Sequence, residues 1–191
     1  MNERQASLGL LAAQGGQPPA VHEQVTVQTA DEMRTLGRRL AGLLRVGDLV
    51  VLSGPLGAGK TTLAQGIGAG LGVRGPITSP TFVIARVHRS LRGGPDLVHA
   101  DAYRLGSRAE VDDLDLDADL ATSVTVVEWG EGLVEDLAPA FLSVVIQAAE
   151  LPADVGTGQA GLAACQDDWP RTVYLRGFGD RWQNADIPGL R

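Results

Sequence analysis

Between Leu49 and Leu71 the chain reads LVVLSGPLGAGKTTLAQGIGAGL, and no other stretch restricts its fold so tightly. Leu49-Val50-Val51-Leu52 is a continuous apolar run, the pattern of a strand buried on both faces. It feeds into Gly54-Pro55-Leu56-Gly57-Ala58-Gly59-Lys60-Thr61, a complete G-x-x-x-x-G-K-[ST] phosphate-binding loop. Leu63, Ala64, Ile67 and Leu71 then recur at helical spacing, with Gly72 placed as a C-cap. Strand before and helix after is the context this motif requires.

The residue types carry the chemistry. Glycines let successive backbone N–H groups converge on one point, and the helix start adds its dipole, making a nest for an anion. Gly54, Leu56, Gly57, Ala58, Gly59 and Thr62 are therefore candidate nucleotide contacts. Lys60 is the candidate for the β- and γ-phosphates, and the Thr61 hydroxyl suits Mg²⁺. A glycine-rich turn that binds nothing is the plain alternative. Of sixteen basic residues fifteen are Arg, and the one lysine is Lys60, where a compact ammonium fits better than a wide guanidinium.

A chain of 191 residues is long enough to bury its own core, and 44% hydrophobic with 20% charged residues is ordinary for a globular domain. Residues 1–21, ending in a Gly- and Pro-rich run, read as a disordered leader. Residues 22–191 read as one domain with a polar, mobile insertion at 151–170. The net charge of −7 argues against holding nucleic acid by electrostatics alone. A single cysteine, Cys165, rules out an internal disulfide and suits a reducing compartment. No apolar run is long enough for a membrane span, so a cytoplasmic location is expected.

In chain order, Val25 and Val27 alternate with polar residues as in an edge strand. Thr29 or Asp31 caps a helix running to Leu44, with Met33, Leu36, Leu40, Leu43 and Leu44 on its apolar face. Residues 82–87 and 96–101 read as partner strands, and Gly132 to Leu137 as a short helix. The stretch from Glu110 to Asp119 holds six carboxylates and no base, the mark of a solvated surface or a docking face. Val124-Thr125-Val126-Val127 is the second strongly apolar strand. Leu142–Ile146 and Thr172–Leu175 form the last pair, antiparallel. The fold class is α/β, a P-loop NTPase with a mixed, mostly parallel sheet flanked by helices.

Such a loop needs a carboxylate at the end of a neighbouring strand to hold the metal, directly or through water. Glu128 closes the run VTVV and Asp101 closes LVHA, so both are candidate catalytic acids beside Lys60. Glu128 joins Thr61 as a candidate Mg²⁺ ligand. A surface carboxylate at a strand end is the alternative for each. Ser79 and Thr81 sit where a switch segment sensing the γ-phosphate would lie, though a plain turn has the same composition. Trp129 is placed to stack on a base or a partner, while burial in the core is the commoner fate of tryptophan. His88, His99 and Cys165 show no metal-ligand spacing. Arg86, Arg89 and Arg104 are near enough in sequence for one to reach the phosphates.

GPLGAGKTT, TSPTF, HADAYRL and VVEWGE, in this order and at these separations, resemble the bacterial TsaE (YjeE) family. These are small P-loop ATPases of tRNA threonylcarbamoyladenosine (t6A) biosynthesis. The likeness runs from residue 24 to 148, and more weakly through the final strand and GFGDRW. It implies ATP and Mg²⁺ as cofactors, with Lys60 and Thr61 on phosphate and metal, and Thr81 in a switch-like loop. Asp101 would lie beside the γ-phosphate, Glu128 would be the metal-linked acid, and Trp129 would lie near the nucleotide. It further implies a TsaB–TsaD type complex as partner, reset by ATP hydrolysis, with tRNA reached only through that complex and neither DNA nor membrane involved. The leader, the insertion and Pro55, where an acid is common, depart from the family pattern.

Two other classes compete. A small-molecule or nucleoside kinase of this size would use a mobile arginine-bearing lid, and the insertion has no arginine before Arg171. A binding module would use ATP only as structural glue. A GTPase is disfavoured because no lysine exists outside the loop to build a guanine-reading N-K-x-D element.

Overall fold

The computed structural model describes residues 18–79, 85–105, 107, 110–111, 120–148, 170–185 and 187. Seven strands form one sheet: β1 (Val21–Val27), β2 (Leu49–Ser53), β3 (Ala85–His88), β4 (Asp96–Asp101), β5 (Ser123–Glu128), β6 (Phe141–Ala148) and β7 (Arg171–Phe178). Their spatial order is β1-β7-β6-β2-β5-β4-β3. β6, β2, β5 and β4 run parallel at its centre, while β1–β7, β6–β7 and β3–β4 pair antiparallel. Mixed pairing around a parallel middle is thus present, and the last two strands pair antiparallel as expected.

β2 lies in the middle of the sheet with all five residues buried. Its period-two alternation divides the interior: Val50 and Leu52 face one core, Leu49 and Val51 the other. The first core is roofed by two helices, α1 (Ala30–Ala41) and α2 (Lys60–Leu71). Met33, Leu36 and Leu40 of α1 meet Leu63, Ala64 and Ile67 of α2 over Val124, Val126, Leu142, Val144 and Ile146 of the sheet. On the opposite face Val98, Ala100 and Val127 are covered by Val111, Leu120 and Val134.

α1 and α2 touch backbone to backbone. A Cβ on Gly37 would stand 2.8 Å from the Gly66 Cα and from the Ile67 nitrogen, and one on Gly66 would enter the Arg34 backbone. Glycine at these positions is required by that approach.

α1 stops at Ala41, three residues short of the sequence reading. Gly42 caps it, and Leu43 and Leu44 both bond back to the Leu40 carbonyl. The chain then tightens because an Asp48 carboxylate oxygen accepts the Arg45 N–H. The expected helix at 132–137 is a 3-10 turn at Glu135–Leu137; the Glu135 carboxylate caps the Gly132 and Val134 N–H groups and opens it. Most of the expected leader and insertion, Phe82 to Ile84, and most of the acidic stretch lie outside the described residues. Among the described residues no helix is long and apolar enough to cross a membrane.

The C-terminal GFGDRW segment packs against the helix-covered core and the turn after α1. The Arg181 guanidinium donates to both oxygens of Asp48, at 3.0 and 2.9 Å, and to the Leu43 carbonyl at 2.7 Å. Trp182 is fully buried below it.

Candidate phosphate-binding site

The two helices start differently. At α1 the Thr29 side chain accepts the Glu32 N–H, and Asp31 and Glu32 add negative charge to the first turn. At α2 the N-cap is Gly59, with no side-chain cap and no acid in the first turn. The first N–H groups of a helix have no partner within it. The start of α2 therefore presents donors and positive dipole with no side-chain cap at Gly59 and no acid in its first turn to answer them.

The loop before it is bent by Gly54, Gly57 and Gly59, at φ 142°, 76° and 106°. These are left-handed values that side chains disfavour. At Gly54 a Cβ would also strike the Ile146 carbonyl of β6, so the loop is seated directly on the neighbouring strand. Ala58 is tucked into the core, whereas Leu56 at the tip is 92% exposed.

Lys60 lies at the first position of α2 and is only 5% exposed. Its Nζ donates to the carbonyls of Gly54 (2.8 Å) and Pro55 (3.0 Å) and lies over the Trp129 ring. Burial pushes the ammonium below its ordinary pKa, and the charges of Glu128 and Asp101 oppose that shift.

The two carboxylates come from the strand register. β4 and β5 are parallel with Asp101 directly opposite Glu128, both buried at the carboxyl ends of their strands. Two carboxyl groups facing each other in this way make a site that favours a cation or hydrogen-bond donors between them. Asp101 accepts the Tyr103 N–H at 2.9 Å. Glu128 accepts the Thr61 hydroxyl, 2.8 Å to Oε1 and 3.0 Å to Oε2, and Oε1 also accepts from His99 Nε2 at 2.9 Å.

A cleft of about 480 Å³ opens over these groups. Leu56, Gly57, Gly59, Lys60, Thr61 and Thr62 line it from the loop and helix, and Asp101, Glu128 and Trp129 from the strand ends. Gly54 and Ala58 shape the loop without lining the cleft. Thr81 lies outside the described residues, but Ser79 reaches the cleft. Arg86, Arg89 and Arg104 do not line it; Arg89 is spent on Asp96 at 2.7 Å.

Two lining or supporting residues were not among the candidate site residues, although both lie in HADAYRL. Tyr103 borders the cleft, its ring 5.2 Å from that of Trp129. His99 stands fully buried behind Glu128. Its period-two relation to Asp101 along β4 was the available signal. Trp129 itself is half-buried and holds φ 60°, the one non-glycine positive φ among the described residues. Its N–H bonds to the Leu52 carbonyl, which fixes that conformation at the strand end.

The family model for threonylcarbamoyl adenosine biosynthesis protein TsaE matches residues 27–154. The tRNA threonylcarbamoyladenosine biosynthesis protein TsaE of Streptomyces coelicolor is 58% identical over 159 residues, 83% of this chain and 99% of the relative. Its Bacillus subtilis namesake is 36% identical over 120 residues, 62% of this chain and 73% of that one. The crystal structure of Bacillus subtilis YdiB is similar with a TM-score of 0.62 at 26% identity, covering 85% of this chain and 90% of that chain.

Proposed function

Since this chain belongs to the TsaE family of t6A biosynthesis proteins, we propose that it is a Mg²⁺-dependent ATPase whose hydrolysis cycle supports turnover of a TsaB–TsaD type complex acting on tRNA. The observation that carries the ATPase reading is the bond between Thr61, in the first turn of α2, and Glu128, closing β5, at the floor of a cleft walled by Lys60 and Asp101.

The residues present fit a nucleotide and its metal. The uncapped start of α2 and the glycine-bent loop suit a polyphosphate. Among the described residues no three His, Cys, Asp or Glu side chains form a cage, which accords with an ion that uses few protein ligands and completes its shell with phosphate oxygens and water. Thr61 and Glu128 would hold it, and when bound it would neutralise charge developing on the phosphoryl oxygens. Lys60 would exchange its two carbonyl partners for phosphate oxygens. Asp101, opposite Glu128, is the group available to orient an attacking water and take its proton.

A kinase reading is less well supported: no arginine lines the cleft among the described residues, and a phosphoryl-transfer lid usually supplies one. The partner assignment rests on the family. The chain's net charge of −7 adds that recognition of the tRNA backbone must come from elsewhere.

The test is a melting scan with Mg·ATP, followed by reconstituted t6A formation. Ligand at a hundredfold excess over Kd should add about 2.7 kcal/mol, roughly 5–11 °C for a chain of this size. Modification beyond one cycle should require this protein and should fail with Lys60→Ala. A melting curve indifferent to millimolar Mg·ATP would sink the nucleotide reading. Multi-turnover modification supported equally by Lys60→Ala would remove the role of hydrolysis.

A further inference from the structure

His99 takes no part in the chemistry derived so far, yet it is 0% exposed and, among the described residues, its side chain's one hydrogen bond is to Glu128. The tie follows from register. Asp101 faces Glu128 across the parallel pair, and His99, two residues earlier on the same face of β4, is the diagonal neighbour. Nδ1 has no hydrogen-bond partner, so the proton is assigned to Nε2, which donates to Glu128 Oε1 at 2.9 Å. An apolar side chain would fill this buried position without desolvating an imidazole. What histidine adds is one N–H aimed at one carboxylate oxygen.

The oxygens of Glu128 can be accounted for. Its other partner is the Thr61 hydroxyl, which has one proton shared between Oε1 and Oε2. Once Thr61 turns its oxygen to a metal, that shared bond is no longer sufficient to orient the carboxylate. The His99 bond comes from the neighbouring strand and does not depend on Thr61.

We propose that His99 is a positioning residue for Glu128, holding the carboxylate in its metal-ready orientation while Thr61 engages the ion. This rests on the Mg²⁺-dependent nucleotide reading above. Removing a hydrogen-bond partner of a metal-ligating group typically costs about 10–100-fold in metal affinity. The cost should fall on the metal-dependent part of nucleotide binding alone.

The experiment is isothermal titration of ATP into the full chain, with Mg²⁺ and with EDTA, for wild type, His99→Leu and His99→Gln. Glutamine keeps an N–H donor of similar reach. Expected is a loss of about 10-fold or more in Mg·ATP affinity for His99→Leu, metal-free ATP affinity within about twofold of wild type, and substantial recovery in His99→Gln. If His99→Leu does not fold, His99→Asn, polar but too short to reach Oε1, replaces it. Unchanged Mg²⁺ dependence overturns the proposal, as does an equal loss with and without metal, or a glutamine variant no better than leucine. A wild-type chain that binds ATP equally with and without Mg²⁺ overturns the metal reading itself, a distinct outcome seen before any variant is made.

Discussion

The Lys60 ammonium lies 3.7 Å from the centroid of the Trp129 ring. It is thus held between an indole face and two carbonyls of its own loop, a closed arrangement that phosphate binding must open. Mg·ATP should therefore change tryptophan emission. Trp129→Phe should abolish that change while leaving the signals of Trp169 and Trp182. A nucleotide-dependent signal that survives Trp129→Phe would show that the change does not arise at the Lys60–Trp129 contact.

Glu128→Ala and Asp101→Ala should fail differently. In the proposed reading Glu128 holds the metal, so its loss should lower Mg·ATP affinity by about tenfold or more, about 1.4 kcal/mol per factor of ten. Losing Asp101 should spare binding and slow hydrolysis by about 10²-fold or more, the usual worth of a positioned acid or base. Titration paired with phosphate release distinguishes them; equal, mild effects would mean that neither carboxylate acts as assigned.

The lowered pKa of Lys60 has a definite sign. Burial, the largest cause, disfavours the charged form in the folded state, so between the folded pKa and 10.5 the unfolded chain binds more protons. This group's contribution to stability therefore rises with pH through that window. Any melting-temperature advantage of Lys60→Met over wild type should be largest near neutrality and shrink as pH approaches 10.5. Nucleotide affinity should run the other way, falling as the ammonium deprotonates. Parallel melting and titration series across alkaline pH check both.

Arg181→Ala should destabilise the fold without touching the cleft. It strands Asp48, which is 5% exposed, without its bidentate partner. Removing one partner of such a pair costs about 3 kcal/mol, roughly 6–12 °C in melting temperature. The nucleotide Kd should be unchanged. A loss of affinity larger than the loss of stability would show that the brace reaches the phosphate loop.

Much of the site could be read along the chain because P-loop chemistry is local. The glycines, Lys60 and Thr61 are contiguous, and Asp101 and Glu128 each end an apolar run that marks a strand. What stayed hidden was relational. His99 meets Glu128 across 29 residues, and Arg181 meets Asp48 across 133. Nothing in either local pattern specifies which strand will lie beside which. Only the strand register makes His99 diagonal to Glu128. The end of α1 was overread because Leu43 and Leu44 continue the apolar period, while the turn is decided by the Asp48 side chain.

Where Gly37 meets Gly66, no side chain lies between α1 and α2. Helices separated by side chains slide by exchanging rotamers; at this crossing point there are none to exchange. α1 is thereby seated against the helix carrying Lys60 and Thr61, and β1, which leads into α1, lies on the sheet's outer edge. A shift of α1 should therefore carry the helix of the phosphate loop with it, because the two backbones would have to separate before they could slide.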